Sequence, residues 1–335
     1  MNLTSIGDLS RNLLQRTRST EIKQDLQRLT QELSTGQVTD VNNRLGGDFA
    51  YLTDIDRNLA RLRGFHVTAT EAGLFTDAAQ NSLDRLQSVT SELGNDLLST
   101  VPTHVTTLRE HNAIRARGDL DIALNMLNGH VAGRSIFGGI QTDISPLRDA
   151  ETLLTNLHAE IAGLTDPNDI RLAAQTWFDD PAGFSAVMYQ GSNTDLADIS
   201  VSPDQTVSMA LKANDQDFRD ILRNIALTAL STDPTLALSG DTQNNLMQRA
   251  GEELLNGQDQ LASLRADIGV AQARIEEATV RISVERTSFE HARNVLLEAD
   301  PFETASRIEE AQFQLESLYA VTVRNSQLSL LNFLK

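Results

Sequence analysis

The stretch from Leu261 to Leu296 constrains this chain more than any other, because its apolar residues hold one heptad phase throughout. Position a reads Leu261, Ile268, Ile275, Ile282, Phe289 and Leu296. Position d reads Leu264, Ala271, Ala278, Glu285, Ala292 and Ala299, so charge breaks the seam once and the d layer is small enough for close helix approach. At a rise of ~1.5 Å per residue this predicts a rod of roughly 54 Å. A helix of that length cannot bury its seam alone, so partner helices are required, in this chain or in neighbouring ones.

Proline shows where those partners can lie. It is absent before Pro102, occurs after Pro234 only at Pro301, and otherwise falls at Pro146, Pro167, Pro181, Pro203 and Pro234, which separates helix-competent ends from a broken middle. Near the start, Ile6, Leu9 and Leu13 stand at helical spacing, and Ile22, Leu26, Leu29 and Leu33 continue in steps of four and three. After the turn formers of 34–48, periodicity resumes and predicts a helix over about Phe49–Leu98, in which Gly64, Gly73 and Gly94 each cost ~1 kcal/mol relative to alanine. A further helix is predicted over Val105–Val131. At the far end Asp300 is placed as N-cap with Pro301 at N1 and Glu303 at N3, starting a helix that carries Ile308, Leu315 and Leu318. Its tail, Leu328, Leu330, Leu331, Phe333 and Leu334, is apolar on several sides and asks for a partner.

The middle reads differently. Asp166-Pro167 opens a short helix, Asp180-Pro181-Ala182-Gly183 is a turn, and the alternating runs 199–202 and 207–211 around Pro203-Asp204-Gln205 predict a hairpin with one buried face. Trp177, the sole tryptophan, is read as a core anchor. The expected fold is mainly α: a long antiparallel helical bundle or coiled coil from both chain ends with a small inserted α+β domain. Five segments are expected. Residues 1–45 and 301–335 are assembly helices, 46–145 and 236–300 the halves of the bundle, and 146–235 the inserted outer domain.

Little in the residues points to catalysis. The paired acids Asp179-Asp180, Glu252-Glu253, Glu276-Glu277 and Glu309-Glu310 sit on predicted helices or their ends, where neighbours diverge by about 100°, so solvated faces are the simpler reading. His104 and His111 are two turns apart, too far for a helical metal pair. Gly46-Gly47 and Gly138-Gly139 lack the context of a phosphate loop and are read as turns. No cofactor and no metal is therefore expected. The net charge of −18 and the lack of a basic run argue against nucleic acid, and the acidic balance argues against a membrane surface. With no cysteine, thiolate chemistry and disulfides are excluded. A soluble helical enzyme or regulator with a ligand site in the middle is the alternative from another class, and no motif supports it.

The C-terminal residues DPFETASRIEEAQFQLESLYAVTVRNSQLSLLNFLK (300–335) resemble the end of the bacterial flagellin superfamily, and LQRLTQELSTGQVTD (26–40) is similar to its paired N-terminal motif. Within that superfamily the start NLTSIGDLSRNLLQRTRS and the stretch GRSIFGGIQTDISPL resemble the hook-filament junction family, hook-associated protein 3. Gly133, Arg134, Phe137, Gly139, Thr142, Asp143 and Pro146 match its pattern before the outer domain, with a fainter likeness at Tyr189-Gln190-Gly191. Gly46-Gly47-Asp48 departs from the family's Asp-Asp after the turn.

The resemblance implies a structural, non-enzymatic flagellar subunit, exported through the type III apparatus without a cleaved signal peptide and assembled outside the cell. Filament flagellin is the alternative. The implied partners are a homo-oligomer ring, other hook-associated protein and flagellin subunits, and an export chaperone. Assembly would run through Ile6, Leu9, Leu13, Ile22, Leu26, Leu29, Leu33, Ile308, Leu315, Leu318, Leu328, Leu330, Leu331, Phe333 and Leu334.

Overall fold

The computed structural model describes residues 3–103 and 105–333, with the backbone alone for 3–9, 11, 103 and 325–333. In chain order the elements are α1 (Leu3–Thr35), α2 (Val41–Leu45), α3 (Ala50–Thr100), α4 (Thr106–Leu127), β1 (His130–Val131), β2 (Arg134–Ser135), α5 (Ala150–Ile161), α6 (Pro167–Asp179) and α7 (Phe184–Val187). They continue with β3 (Ile199–Ser202), β4 (Gln205–Val207), α8 (Gln216–Leu230), α9 (Gly240–Asn256), α10 (Gln258–Leu297) and α11 (Pro301–Phe333). The fold is mainly α, as expected: long helices from both ends of the chain, and two small antiparallel hairpins in the middle. Contacts divide it into two units, residues 63–283 and residues 1–62 with 284–335, and α3 and α10 contribute to each.

In the 63–283 unit α3 is the spine. Leu83, Leu86, Leu93 and Leu97 are fully buried, and Gly73 and Gly94 interrupt neither its course nor its packing. α9 and α10 run antiparallel to it: Gln258 Nε2 donates to Thr90 Oγ1 at 2.9 Å, Arg265 reaches Asp84 at 2.9 Å and Gln272 donates to Asp77 at 2.7 Å. The a positions Leu261, Ile268, Ile275 and Ile282 and the d positions Ala271 and Ala278 are buried, so the heptad phase is the packing phase. The glycine at 94 has a reason the sequence alone hides. A Cβ there would stand 2.9 Å from Leu255 Cγ, and one at Gly251 would stand 3.1 Å from Leu97 Cβ and 3.2 Å from the Gly94 carbonyl, so α3 and α9 meet backbone to backbone.

α4, the helix predicted over Val105–Val131 and a candidate partner for the rod, is placed against other elements. It turns back along α3, with Asn112 Nδ2 donating to Thr100 Oγ1 at 2.6 Å and Arg115 bonded to Asp96 and Glu92, and it packs on α8, α9 and α5. The reversal just after Thr100 returns it beside the C-terminal part of α3, where α8 is waiting. α8 is buried on every side from Asn224 to Leu230, while Arg219, Asp220 and Arg223 keep its first turns partly exposed. The middle of the chain therefore shares one core with the helical bundle, and Phe137 meets Phe218 edge to face at 5.7 Å between centroids.

The remaining local expectations are met with small shifts. Asp166 caps α6 by accepting from the Asn168 and Asp169 amides at 2.8 and 3.3 Å. The hairpin forms, but it turns on Pro203-Asp204, so that β4 begins at Gln205 with Val201 and Val207 inward. Residues 208–211 leave the sheet, and pairing resumes as an isolated bridge between Gly138 and Lys212. Trp177 is buried against Phe178 and Phe184, the anchor expected of it.

The GRSIFGGIQTDISPL stretch is structural. Its Gly139 has φ +61°, and a Cβ there would strike the carbonyls of Ser192 and Thr194. The Ser192 amide donates to the Gly138 carbonyl at 2.9 Å, and the Gln190 amide to the Pro146 carbonyl at 2.7 Å. Tyr189 donates to the Ser192 carbonyl at 2.8 Å, and its burial pushes the phenol pKa up to about 12, keeping the donor protonated. The motif and the Tyr189-Gln190-Gly191 segment thus form one knot at the edge of the shared core.

Candidate assembly interface

The second unit carries the residues to which assembly is assigned, and its geometry starts from two turns. α1 ends where the Gly36 amide donates to the Glu32 carbonyl at 2.8 Å and the chain reverses at φ +70°. Glu32, only 5% exposed, accepts from Arg28 at 3.1 Å and from the Thr39 amide at 2.9 Å, which pins the turn. The turn between α10 and α11 lies alongside. Gln37 bridges Glu298, the Val38 amide donates to the Leu297 carbonyl at 2.9 Å, and the Ala299 amide donates to the Gly36 carbonyl at 3.0 Å. Asp300 then caps α11, accepting from the amides of Phe302 at 2.8 Å and Glu303 at 3.1 Å, as its sequence position predicts.

From this paired turn α1 and α11 pack antiparallel. Ile22 and Leu29 are buried, Leu26, Ile308, Leu315 and Leu318 are half-buried, and Thr304 is buried. Lys23 Nζ stands 5.8 Å from the centre of the Tyr319 ring, and its hydrogen bond, with that of Ser19, draws the Tyr319 pKa below its ordinary value. Near these turns Arg293 reaches Asp56 at 3.0 Å, tying the ends of α10 and α3 within the same unit.

The assigned residues therefore divide. Ile22, Leu26, Leu29, Ile308, Leu315 and Leu318 are taken up, wholly or in part, by contact inside the chain. Leu13 and Leu33 remain exposed. Leu13 lies nine residues from Ile22, about two and a half turns, and so points to the opposite face of α1. The side chains of Ile6, Leu9, Leu328, Leu330, Leu331 and Phe333 lie outside the described residues, as does Leu334 altogether.

Two residues that the sequence reading left out dominate the outer face of α11. Phe302 is 85% exposed and Phe313 70% exposed, eleven residues or about three turns apart, hence on one side and opposite the Ile308–Leu315–Leu318 face. On α1, Leu14 at 74% joins Leu13 at 66%. The signal was available: a second apolar line at helical spacing on a helix whose first line already has a partner.

Among the described residues no group of His, Asp and Glu side chains could hold a metal ion, and no helix is long and apolar enough to cross a membrane. The adjacent acids diverge as expected. Glu253 joins Arg171 and Arg223, the latter at 3.0 Å, while Glu252 takes Arg249 on another side at 3.1 Å. His111 has no histidine partner to compare, since His104 lies outside the described residues.

Residues 253–334, which hold all of α10 and α11, match the family model for the bacterial flagellin C-terminal helical region. A solved structure described as a flagellar hook-associated protein from Vibrio parahaemolyticus is similar at 12% identity, over 73% of this chain and 99% of that one, with a TM-score of 0.43. No curated protein matches the sequence.

Proposed function

We propose that the protein is a structural subunit at the junction between the flagellar hook and filament, of the hook-associated protein 3 kind. The observation that carries this reading is the flagellin C-terminal match over α10 and α11, on helices whose outer face still exposes Phe302 and Phe313. One face of α11 closes on α1, and the other is left for neighbouring subunits. Copies of the chain would form a ring, with other hook-associated protein and flagellin subunits on either side. Export would proceed by the flagellar type III route, with a dedicated chaperone covering the terminal helices, and the assembled protein would lie outside the cell. The resemblance of residues 133–146 to the junction family supports the finer assignment within the superfamily.

Electron microscopy of a strain lacking this chain tests the proposal. Bare hooks with flagellin shed into the medium are expected, and filaments of normal length on those hooks would overturn the junction role. Seeding distinguishes the alternative. Purified protein added to filament fragments should not extend them, whereas sustained elongation would assign it to filament flagellin.

A further inference from the structure

One cavity belongs to neither the terminal helices nor the knot at Gly139. It is an open groove of about 600 Å³ between α5 and α6, within the 63–283 unit. Its floor is one complete face of α6. Asp169, Leu172, Thr176 and Asp180 recur at steps of three and four, with Ala173 and Trp177 four apart beside them, and Glu160 on α5 forms the opposite wall. Leu172 is 63% exposed although it lies on a helix whose other large apolar side chains are buried, so this face has no cover within the described chain.

The rim has one sign of charge. Glu160, Asp169 and Asp180 are carboxylates, and no lysine, arginine or histidine lines the groove. Arg171, the sole cation of α6, is turned away and held by Glu253. Among the described residues the side chains of Glu160 and Asp169 have no ion-pair or hydrogen-bond partner, and Asp180 uses one oxygen on the Ala182 amide at 2.9 Å. Exposed Leu172, with Leu164 and Val187 beside it, set among carboxylates suits a side chain with a hydrocarbon stem and a cationic head, as lysine and arginine have. A groove between two helices, as long as α6 at ~20 Å, suits a third helix.

We infer that the groove between α5 and α6 is a docking site for a basic amphipathic helix of a partner protein. An aliphatic residue of that helix covers Leu172, and its lysines or arginines pair with Glu160 and Asp169. The site is independent of the terminal helices, so it can stand or fall apart from the flagellar assignment.

The molecule carries its own reporter, because Trp177 is the sole tryptophan and lines the groove. The full-length protein is titrated with a synthetic lysine–leucine amphipathic helix of roughly the length of α6, and Trp177 emission is followed. A saturable change is expected, together with a loss of affinity of about tenfold in the Glu160→Gln/Asp169→Asn double variant, the size expected from two exposed ion pairs. That variant removes two of 46 acidic residues, so general attraction to the acidic chain persists and only the local site is lost. Leu172→Gln tests the apolar contact and should weaken binding likewise, and its exposure leaves folding intact. No saturable change, an equal response to a glutamate–leucine helix, or undiminished binding by the double variant would overturn the proposal.

Discussion

The two units of this protein bury their apolar residues to very different depths. In the 63–283 unit a single cluster runs from Ala69 through Phe137, Phe178 and Phe218 to Ala278, and α8 is enclosed on all sides from Asn224 to Leu230. In the unit of residues 1–62 and 284–335, helices pack in thin layers: Ile22 and Leu29 are buried, while Leu13, Leu14, Phe302 and Phe313 face outward. A thick core stabilises the chain that owns it. A two-helix layer has an inner and an outer face, and only the inner face is satisfied within the chain. The difference separates residues that hold each unit together from residues left exposed on its outer face.

Substitutions should divide along the same line. The largest loss is expected from Phe218→Ala, which empties the contact with Phe137 at the centre of the shared core and should cost about 3–5 kcal/mol in urea unfolding followed by Trp177 emission. An unchanged midpoint would show that the middle of the chain folds apart from the bundle. Gly251→Leu comes next, at about 1–3 kcal/mol, because the new side chain must separate α9 from α3 at Gly94. Gly64→Leu, on α3 with open space around it, serves as the control and should stabilise by up to about 1 kcal/mol through helix propensity.

A smaller effect, under about 1 kcal/mol, is expected for Glu253→Gln, whose partners are partly exposed. Its pH dependence is the sharper measurement. Burial would raise the Glu253 pKa, but Arg171 and Arg223 outweigh it and hold the carboxyl below its ordinary value of 4.5. A depressed folded-state pKa means the pair stabilises the fold above that ordinary value and loses its contribution as pH falls through the folded one. Wild type and variant should therefore differ at neutral pH and converge in acid. A constant offset across pH would assign the effect to packing. The smallest effect on stability, under about 0.5 kcal/mol, belongs to Phe313→Ser on the exposed face of α11, with incorporation into flagella lost all the same. A large drop in melting temperature would show instead that Phe313 packs within its own subunit.

What could be read in advance was whatever depends on neighbours along the chain. The heptads of α10, the Asp300-Pro301 and Asp166-Pro167 helix starts and the hairpin near Pro203 are all local, with geometry set within a turn or two. The inner face of α11 was equally legible through Ile308, Leu315 and Leu318. Its outer face was missed because a single seam was assumed, although Phe302 and Phe313 share a side. α5 and α8 went unnamed for a related reason: proline and turn signals in the middle drew the reading toward loops. Yet Phe218, Ile221, Leu222 and Ile225 recur at helical spacing.

By itself the sequence determined a helical chain with a heptad rod over 261–296 and a fresh helix after Asp300, since spacing and capping act over short range. Only the tertiary structure decided that Gly94 and Gly251 mark a backbone contact, that α4 serves α8 as well as the spine, and that Gln37 pairs with Glu298. Each joins segments distant in sequence, and no local preference encodes which distant surface will arrive. The same holds for function: heptads state that a seam needs a partner, and packing shows which seams have already found one.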